Sequence, residues 1–230
     1  MGLNDRDELS GWTRETPAEG LVCWQPRRGY RYGVEAYALA SFAIDGMPGA
    51  EADPGGARRR VMHSVLDLGA GSGIVSILLA SRGARVVAVE LDERWRPGLE
   101  RSIRESALEI PVLWGDVRAL DLPGVDMVVC NPPWFRPESG PLSPDDHKAH
   151  ARTALQGGPA EFIRAGLRAA PRVCLVVPAS TGLPAVAEAV LARHGRVGGL
   201  VLGEYSRVRA VQTLEVPVDP YRPFQEFRGG

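Results

Sequence analysis

Along the middle of this 230-residue chain, short uninterrupted apolar runs alternate with segments in which apolar residues recur at helical spacing. The pattern predicts strands over 65–68, 85–90, 111–114, 126–130 and 173–178. It predicts helices over 73–82, 96–108, 159–170 and 184–194, with Gly83 and Gly195 stopping the first and last. Strands that are apolar on both sides must be covered on both sides. In an alternating β-α order, the crossover helices of a parallel sheet supply that cover. The expected fold class is therefore α/β, a doubly wound, Rossmann-like sheet. Two later runs, 197–204 and 210–218, flank Tyr205–Arg209 and predict a C-terminal β-hairpin that closes the sheet.

The chain before the core is less regular. Residues 1–20 are polar, hold Gly2, Gly11, Pro17 and Gly20, and show no sustained period, so a flexible lead-in is expected. From Leu21 a loop rich in aromatic and arginine side chains leads into a short helix over 34–42. The stretch 45–63 carries several Gly and Pro residues and then Arg58-Arg59-Arg60, the composition of an inserted loop. Residues 21–230 are expected to form one domain, since a chain of this length with 44% hydrophobic residues can bury one substantial core.

Composition removes several function classes. No early basic-apolar segment and no long apolar run directs the chain to export or a bilayer, so a cytoplasmic location is expected. Cys23, Cys130 and Cys174 lack the spacing of a disulfide framework or a zinc site and read as small apolar fillers; no metal is expected. A net charge of −1 and a pI near 6.4 exclude a generally basic nucleic-acid coat. Any RNA site must be a local patch.

The run Val65-Leu-Asp-Leu-Gly-Ala-Gly-Ser-Gly73 turns from strand to glycine and then to helix. Glycines at 69, 71 and 73 let the backbone adopt positive φ and approach a ligand, and the helix N-terminus presents free N–H groups. The third glycine stands one place too early for the dinucleotide fingerprint, and no phosphate-loop Gly-Lys pattern occurs. The stretch resembles the first motif of class I S-adenosylmethionine-dependent methyltransferases, in which an acid, here Asp67, precedes the glycines. Glu90 ends the next strand at close to the ~20-residue offset at which an acid meets ribose hydroxyls, so it is expected on the ribose. By the same resemblance Asp116 would face the adenine; an Asx turn is the other reading of that residue.

Asn131-Pro132-Pro133-Trp134 follows the apolar strand 127–130. It is similar to the [Asn/Asp]-Pro-Pro-aromatic motif of amino-group methyltransferases. The residue types suit that chemistry. An amine conjugated to a ring is a poor nucleophile, so a catalyst must accept hydrogen bonds from its N–H groups and aim the nitrogen at the methyl group. Asn131 Oδ1 and the Pro132 carbonyl are two such acceptors. The prolines fix the carbonyl and offer no competing N–H, while Trp134 provides a face for base stacking worth roughly 1–3 kcal/mol.

A second resemblance covers about residues 21–178. The segment from Gln25 to Ala40 looks like the opening of a bacterial family that methylates N6 of an adenosine beside the anticodon of valine tRNA. It implies that Gln25, Gly29, Tyr30, Arg31 and Glu35 cover the methionine end of S-adenosylmethionine. Glu35 stands where that family usually has Asp, and the 45–63 insertion is a further departure. Residues 135–157 form a polar loop at the substrate edge. Its Arg136 and Arg152, with Arg27 and Arg28, are candidates for holding RNA phosphates, as are His147, Lys148 and His150; neither histidine is assigned as a general base.

The expected function is thus S-adenosylmethionine-dependent N-methylation of RNA, with adenosine N6 in tRNA as the leading target. Methylation of a glutamine amide in a protein would use the same two acceptors. DNA amino-methylation lacks room for a base-reading domain. An inactive cofactor- or RNA-binding module would have no need of the Asn-Pro acceptors.

Overall fold

The computed structural model describes residues 9–45, 63–132, 159–176, 200–203 and 211–215. The elements run β1 (Trp12–Glu15), β2 (Cys23–Pro26), α1 (Val34–Asp45), β3 (Ser64–Leu68), α2 (Ile74–Ser81), β4 (Arg85–Glu90), α3 (Arg96–Glu105), β5 (Val112–Trp114), β6 (Met127–Cys130), α4 (Pro159–Ala169), β7 (Arg172–Val176), β8 (Leu200–Gly203) and β9 (Val211–Glu215). Each strand and helix expected within the described residues forms, with its ends shifted by a few positions. The helix expected over 184–194, the 135–157 loop and residues 46–62 of the insertion lie outside them.

Among the described residues seven strands form one sheet in the order β5-β4-β3-β6-β7-β9-β8. The first five are parallel, and β9 and β8 close the sheet as an antiparallel hairpin. The two-residue period of the strands divides the core cleanly. Val65, Met127 and Val129 pack on one face with Leu39 of α1, Ile77 and Leu79 of α2 and Leu99 of α3. Leu66, Leu68, Val128 and Cys130 point the other way, onto Ile163 and Leu167 of α4. Each fully buried Leu or Ile here stabilises the fold by roughly 1.5–3 kcal/mol relative to exposure. All three cysteines are buried with free thiols, and burial pushes the Cys23 thiol up to about 11.

Local sequence sets the ends of α2. Gly83 takes φ 93, and the N–H groups of Gly83 and Ala84 bond back to the carbonyls of Ala80 and Leu79. That is a Schellman cap, and it explains why the helix stops at the glycine.

The expected flexible lead-in differs from the structure at residues 12–15, which pair antiparallel with Cys23–Pro26 as β1. The reason is packing rather than periodicity. Trp12 is only 9% exposed and lies against Gly98 of α3, which has no Cβ to obstruct the ring. Ser102 of α3 and Ser106, just past its end, complete the docking. Ser102 Oγ accepts from Trp24 N at 2.7 Å and Ser106 Oγ accepts from Val22 N at 2.9 Å, so the backbone at and just before β2 is satisfied from this helix. Among the described residues no helix is long and apolar enough to cross a membrane.

Candidate active site

The chain runs from β3 outward to β4 and β5, then returns to the other side of β3 for β6 and β7. The order therefore reverses between β3 and β6, and the crevice beyond the carboxyl ends of those strands is where α/β sheets bind ligands. Leu68 is in register with Cys130, so Gly69 and Asn131 follow them at the same edge. Glu90 closes β4, and Asp116 follows β5 by two residues. The parallel pairing thus gathers Gly69, Gly71, Gly73, Glu90, Asp116, Asn131 and Pro132 along one edge.

The glycine turn is built as its sequence requires. Gly69, Gly71 and Gly73 take φ of 75, 54 and 79, all in the left-handed region. A Cβ on Gly73 would lie 2.3 Å from Leu99 Cδ1, so this glycine serves close helix packing. A Cβ on Gly71 would meet nothing nearer than Trp95 at 3.9 Å. Gly71 instead gives its N–H to Glu90.

Glu90 is 8% exposed, and its carboxylate gathers three backbone donors. Oε2 accepts from Gly71 N at 2.7 Å, and Oε1 from Leu91 N at 2.9 Å and Asp92 N at 2.8 Å. Burial outweighs these donors and pushes its pKa from 4.5 up to about 7. A carboxylate offers about four acceptor positions, so about one remains for a ligand hydroxyl.

Asp67 turns inward. It is 3% exposed, and Ser76 Oγ donates to its Oδ2 at 2.6 Å, which ties the end of β3 to the first turn of α2. Burial raises its pKa from 3.8 to about 6. Ser76 is a partner that the sequence reading missed; a serine in the first turn of the helix after the acid was the available signal.

Asp116 adopts the Asx turn rather than leaving its carboxylate open. Oδ1 accepts from Arg118 N at 2.8 Å, and the Arg118 guanidinium pairs with both oxygens. The Arg118 hydrogen bonds hold its pKa below the ordinary carboxylate value. An adenine contact would have to compete with that pair.

The segment expected over the methionine end is organised by a buried amide. Gln25 is 1% exposed; its Nε2 donates to Glu15 Oε2 at 2.7 Å and its Oε1 accepts from Tyr32 N at 2.9 Å. Both ends of this side chain are used inside the protein, so it fixes the 27–32 loop. Arg31 pairs with Glu15, Gly29 takes φ 106, and Tyr32 meets Tyr37 edge-on. Glu35 lies in the first turn of α1 with its carboxylate beside Gly33. Tyr30 reaches the crevice, where its hydroxyl accepts from Asn131 Nδ2 at 3.3 Å.

Arg27 and Arg28 are exposed. They line a cleft of about 500 Å3 together with Gly11, Trp12, Pro26 and Arg94, and Arg94 is held by Asp92. Arg27 Nε also donates to the Trp12 carbonyl at 2.9 Å. Pro133, Trp134, Arg136 and Arg152 lie outside the described residues. No group of three or more His, Cys, Asp or Glu among the described residues is arranged to hold a metal ion.

Residues 57–143 match the sequence model of the methyltransferase small domain. The chain is 40% identical over 99 residues to a ribosomal RNA small subunit methyltransferase A of Deinococcus radiodurans, a match covering 41% of this chain and 32% of the relative. It is 34% identical over 97 residues to a tRNA1(Val) (adenine(37)-N6)-methyltransferase of a Shewanella species, covering 39% of this chain and 40% of that protein. The matches thus span well under half the length of these relatives. Among solved structures, the T. thermophilus 16S rRNA N2 G1207 methyltransferase in complex with AdoMet and guanosine superposes with a TM-score of 0.63 at 20% identity, covering 90% of this chain and 51% of that one. These likenesses give the chain the class I fold of the S-adenosylmethionine-dependent methyltransferases, with the small-domain match spanning both the glycine turn and Asn131.

Proposed function

We propose that this chain is an S-adenosylmethionine-dependent N-methyltransferase working on RNA in the cytoplasm, with N6 of an adenosine in tRNA as its target, and that residues 21–230, with β1 packed on them, act as one catalytic domain. The observation that carries the reading is the adjacency of the glycine turn and Asn131-Pro132 at the point where the strand order reverses. Support for the RNA class comes from the names of the two relatives, one acting on ribosomal RNA and one on tRNA.

The described residues suit the cofactor. Within the turn Gly71 leaves space for backbone approach, and Glu90 keeps about one acceptor position for a ribose hydroxyl. S-Adenosylmethionine supplies, when bound, a sulfonium methyl that an amine nitrogen takes in a single displacement. Asn131 Oδ1 and the Pro132 carbonyl then hold the target N–H groups and turn the nitrogen lone pair toward the methyl. The displaced proton passes to water, so no general base is assigned. Trp134 stacks on the base, and Arg27, Arg28, Arg136 and Arg152 take phosphates.

The test incubates the purified protein with methyl-labelled S-adenosylmethionine and, in separate reactions, tRNA, ribosomal RNA, DNA and a protein extract, followed by nucleoside and amino-acid analysis. N6-methyladenosine in the tRNA reaction supports the proposal. Label in ribosomal RNA alone favours a second reading, which the 40% identity to a ribosomal RNA methyltransferase motivates. Label on glutamine alone refutes the RNA assignment.

A further inference from the structure

We infer that Tyr30 is a positioning residue that holds the Asn131 side chain at the edge of β6. The inference rests on the proposed role of Asn131 Oδ1 as an acceptor for the target amine. An asparagine side chain turns about two bonds, and an acceptor left free about them spends little time aimed at the target nitrogen.

The structure supplies an anchor for that side chain. Nδ2 of Asn131 donates to the Tyr30 hydroxyl at 3.3 Å, across 101 residues of sequence. With Nδ2 engaged there, Oδ1 is directed away from the tyrosine. Tyr30 is itself held firmly. The N–H of Tyr32 and the carboxylate of Glu15 clamp the two ends of the buried Gln25 amide, and Arg31 is tied to the same Glu15. The 27–32 loop therefore delivers one phenolic oxygen to a defined place at the edge of β6. Gln25, Glu15 and Tyr30 form a chain of support behind Asn131, and Tyr30 touches no reacting atom in this role.

The test uses the full-length protein with saturating S-adenosylmethionine and RNA. Tyr30→Phe removes the hydroxyl and keeps the ring, and is expected to lower kcat by about 3–10-fold, the equivalent of one neutral hydrogen bond, with cofactor affinity changed by less than about twofold. In an Asn131→Ala background, where there is no amide left to hold, the Tyr30→Phe loss should vanish. Nuclear magnetic resonance gives a readout independent of activity, because Tyr30→Phe should shift the Asn131 side-chain amide signal in the free protein.

Three results would overturn the inference: Tyr30→Phe weakening cofactor binding while kcat stays intact, an equal loss in the Asn131→Ala background, or an unmoved amide signal. The first would return Tyr30 to the methionine end of the cofactor. If Asn131→Ala alone keeps wild-type turnover, the proposed function fails at its root, and that outcome is separate from any of the Tyr30 results.

Discussion

The N–H of Gly71 donates to Oε2 of Glu90 at 2.7 Å, fastening the glycine turn to the end of the neighbouring strand. This carboxyl group is buried and its pKa is raised from 4.5 to about 7, while Asp67 behind the same turn rises from 3.8 to about 6. Each therefore binds its proton more tightly in the folded chain than in the unfolded one. Such a group adds stability at low pH, and the contribution is lost as pH rises through its folded pKa. Glu105, Asp116 and Asp126 are shifted the other way, and their contributions fall away only as pH drops below the ordinary carboxylate range. Between pH 7 and pH 5 the raised pair dominates. The unfolding free energy read by urea titration should increase on acidification over that window, by up to about 1.4 kcal/mol per pH unit per group, and Glu90→Gln should remove most of the slope between pH 7 and pH 6. A midpoint that falls steadily from pH 7 to pH 5 would contradict this account.

Cofactor binding gives a second prediction. Three of the roughly four acceptor positions on Glu90 are used by backbone N–H groups. Glu90→Ala removes the remaining acceptor and also frees the Gly71 end of the turn. S-Adenosylmethionine affinity, read by calorimetry, should fall by the equivalent of about 1.5–3 kcal/mol, the worth of a hydrogen bond to a charged group. Affinity equal to wild type would show that the glycine turn has been misread.

Much of this arrangement was legible in the sequence because local rules and global fold agree in the core. Runs such as 85–90 and 127–130 are apolar on both sides, so period and length together give buried parallel strands. The glycines at 69, 71 and 73 announce positive φ, which the turn adopts. Long-range docking was not legible. Trp12 lies in a polar, glycine-containing segment, and its seat is a glycine 86 residues further along, Gly98. Ser102 of α3 and Ser106 just after it, which bind the backbone at and before β2, look, by sequence, like solvated positions on a polar helix. The Asx turn at Asp116 was one of the two readings its sequence offered, whereas the guanidinium of Arg118 and the hydroxyl of Ser76 were not anticipated as partners, because which nearby side chain closes on a carboxylate is set by rotamer geometry rather than by the motif.

The docking of β1 on α3 is itself testable. A Cβ at residue 98 would lie 2.0 Å from Cζ3 of Trp12, a clash with the rigid ring of a buried side chain. Gly98→Ala should therefore displace the hairpin although alanine favours the helix, costing about 1–3 kcal/mol as overpacking does. In a background with Trp12→Ala the substitution should become neutral or stabilising, since Gly to Ala in a helix interior gains roughly 0.5–1 kcal/mol once the ring is gone. Thermal melts of the four proteins of the cycle decide it. Additive losses would mean that the two residues do not meet.

The last prediction concerns the proposed RNA surface, where the chain as a whole offers little attraction at a net charge of −1. Phosphate binding must then come from few side chains, and Arg27 and Arg28 are exposed on one cleft beside the hairpin. Arg94 shares the cleft but is paired with Asp92, so most of the positive charge available there belongs to the other two. Each arginine that neutralises a phosphate releases counterions and steepens the dependence of log K on log salt by roughly 0.7–0.9. Arg28→Ala should flatten that slope by about this amount and weaken RNA binding at 50 mM salt more than at 200 mM. Arg27→Ala should do the same and also lower stability, because Arg27 Nε holds the Trp12 carbonyl at 2.9 Å. Calorimetry with S-adenosylmethionine should give wild-type affinity for Arg28→Ala, since the arginine serves the other substrate. An unchanged salt slope in both variants would remove the cleft from the RNA-binding surface and shift the weight to the arginines at 136 and 152.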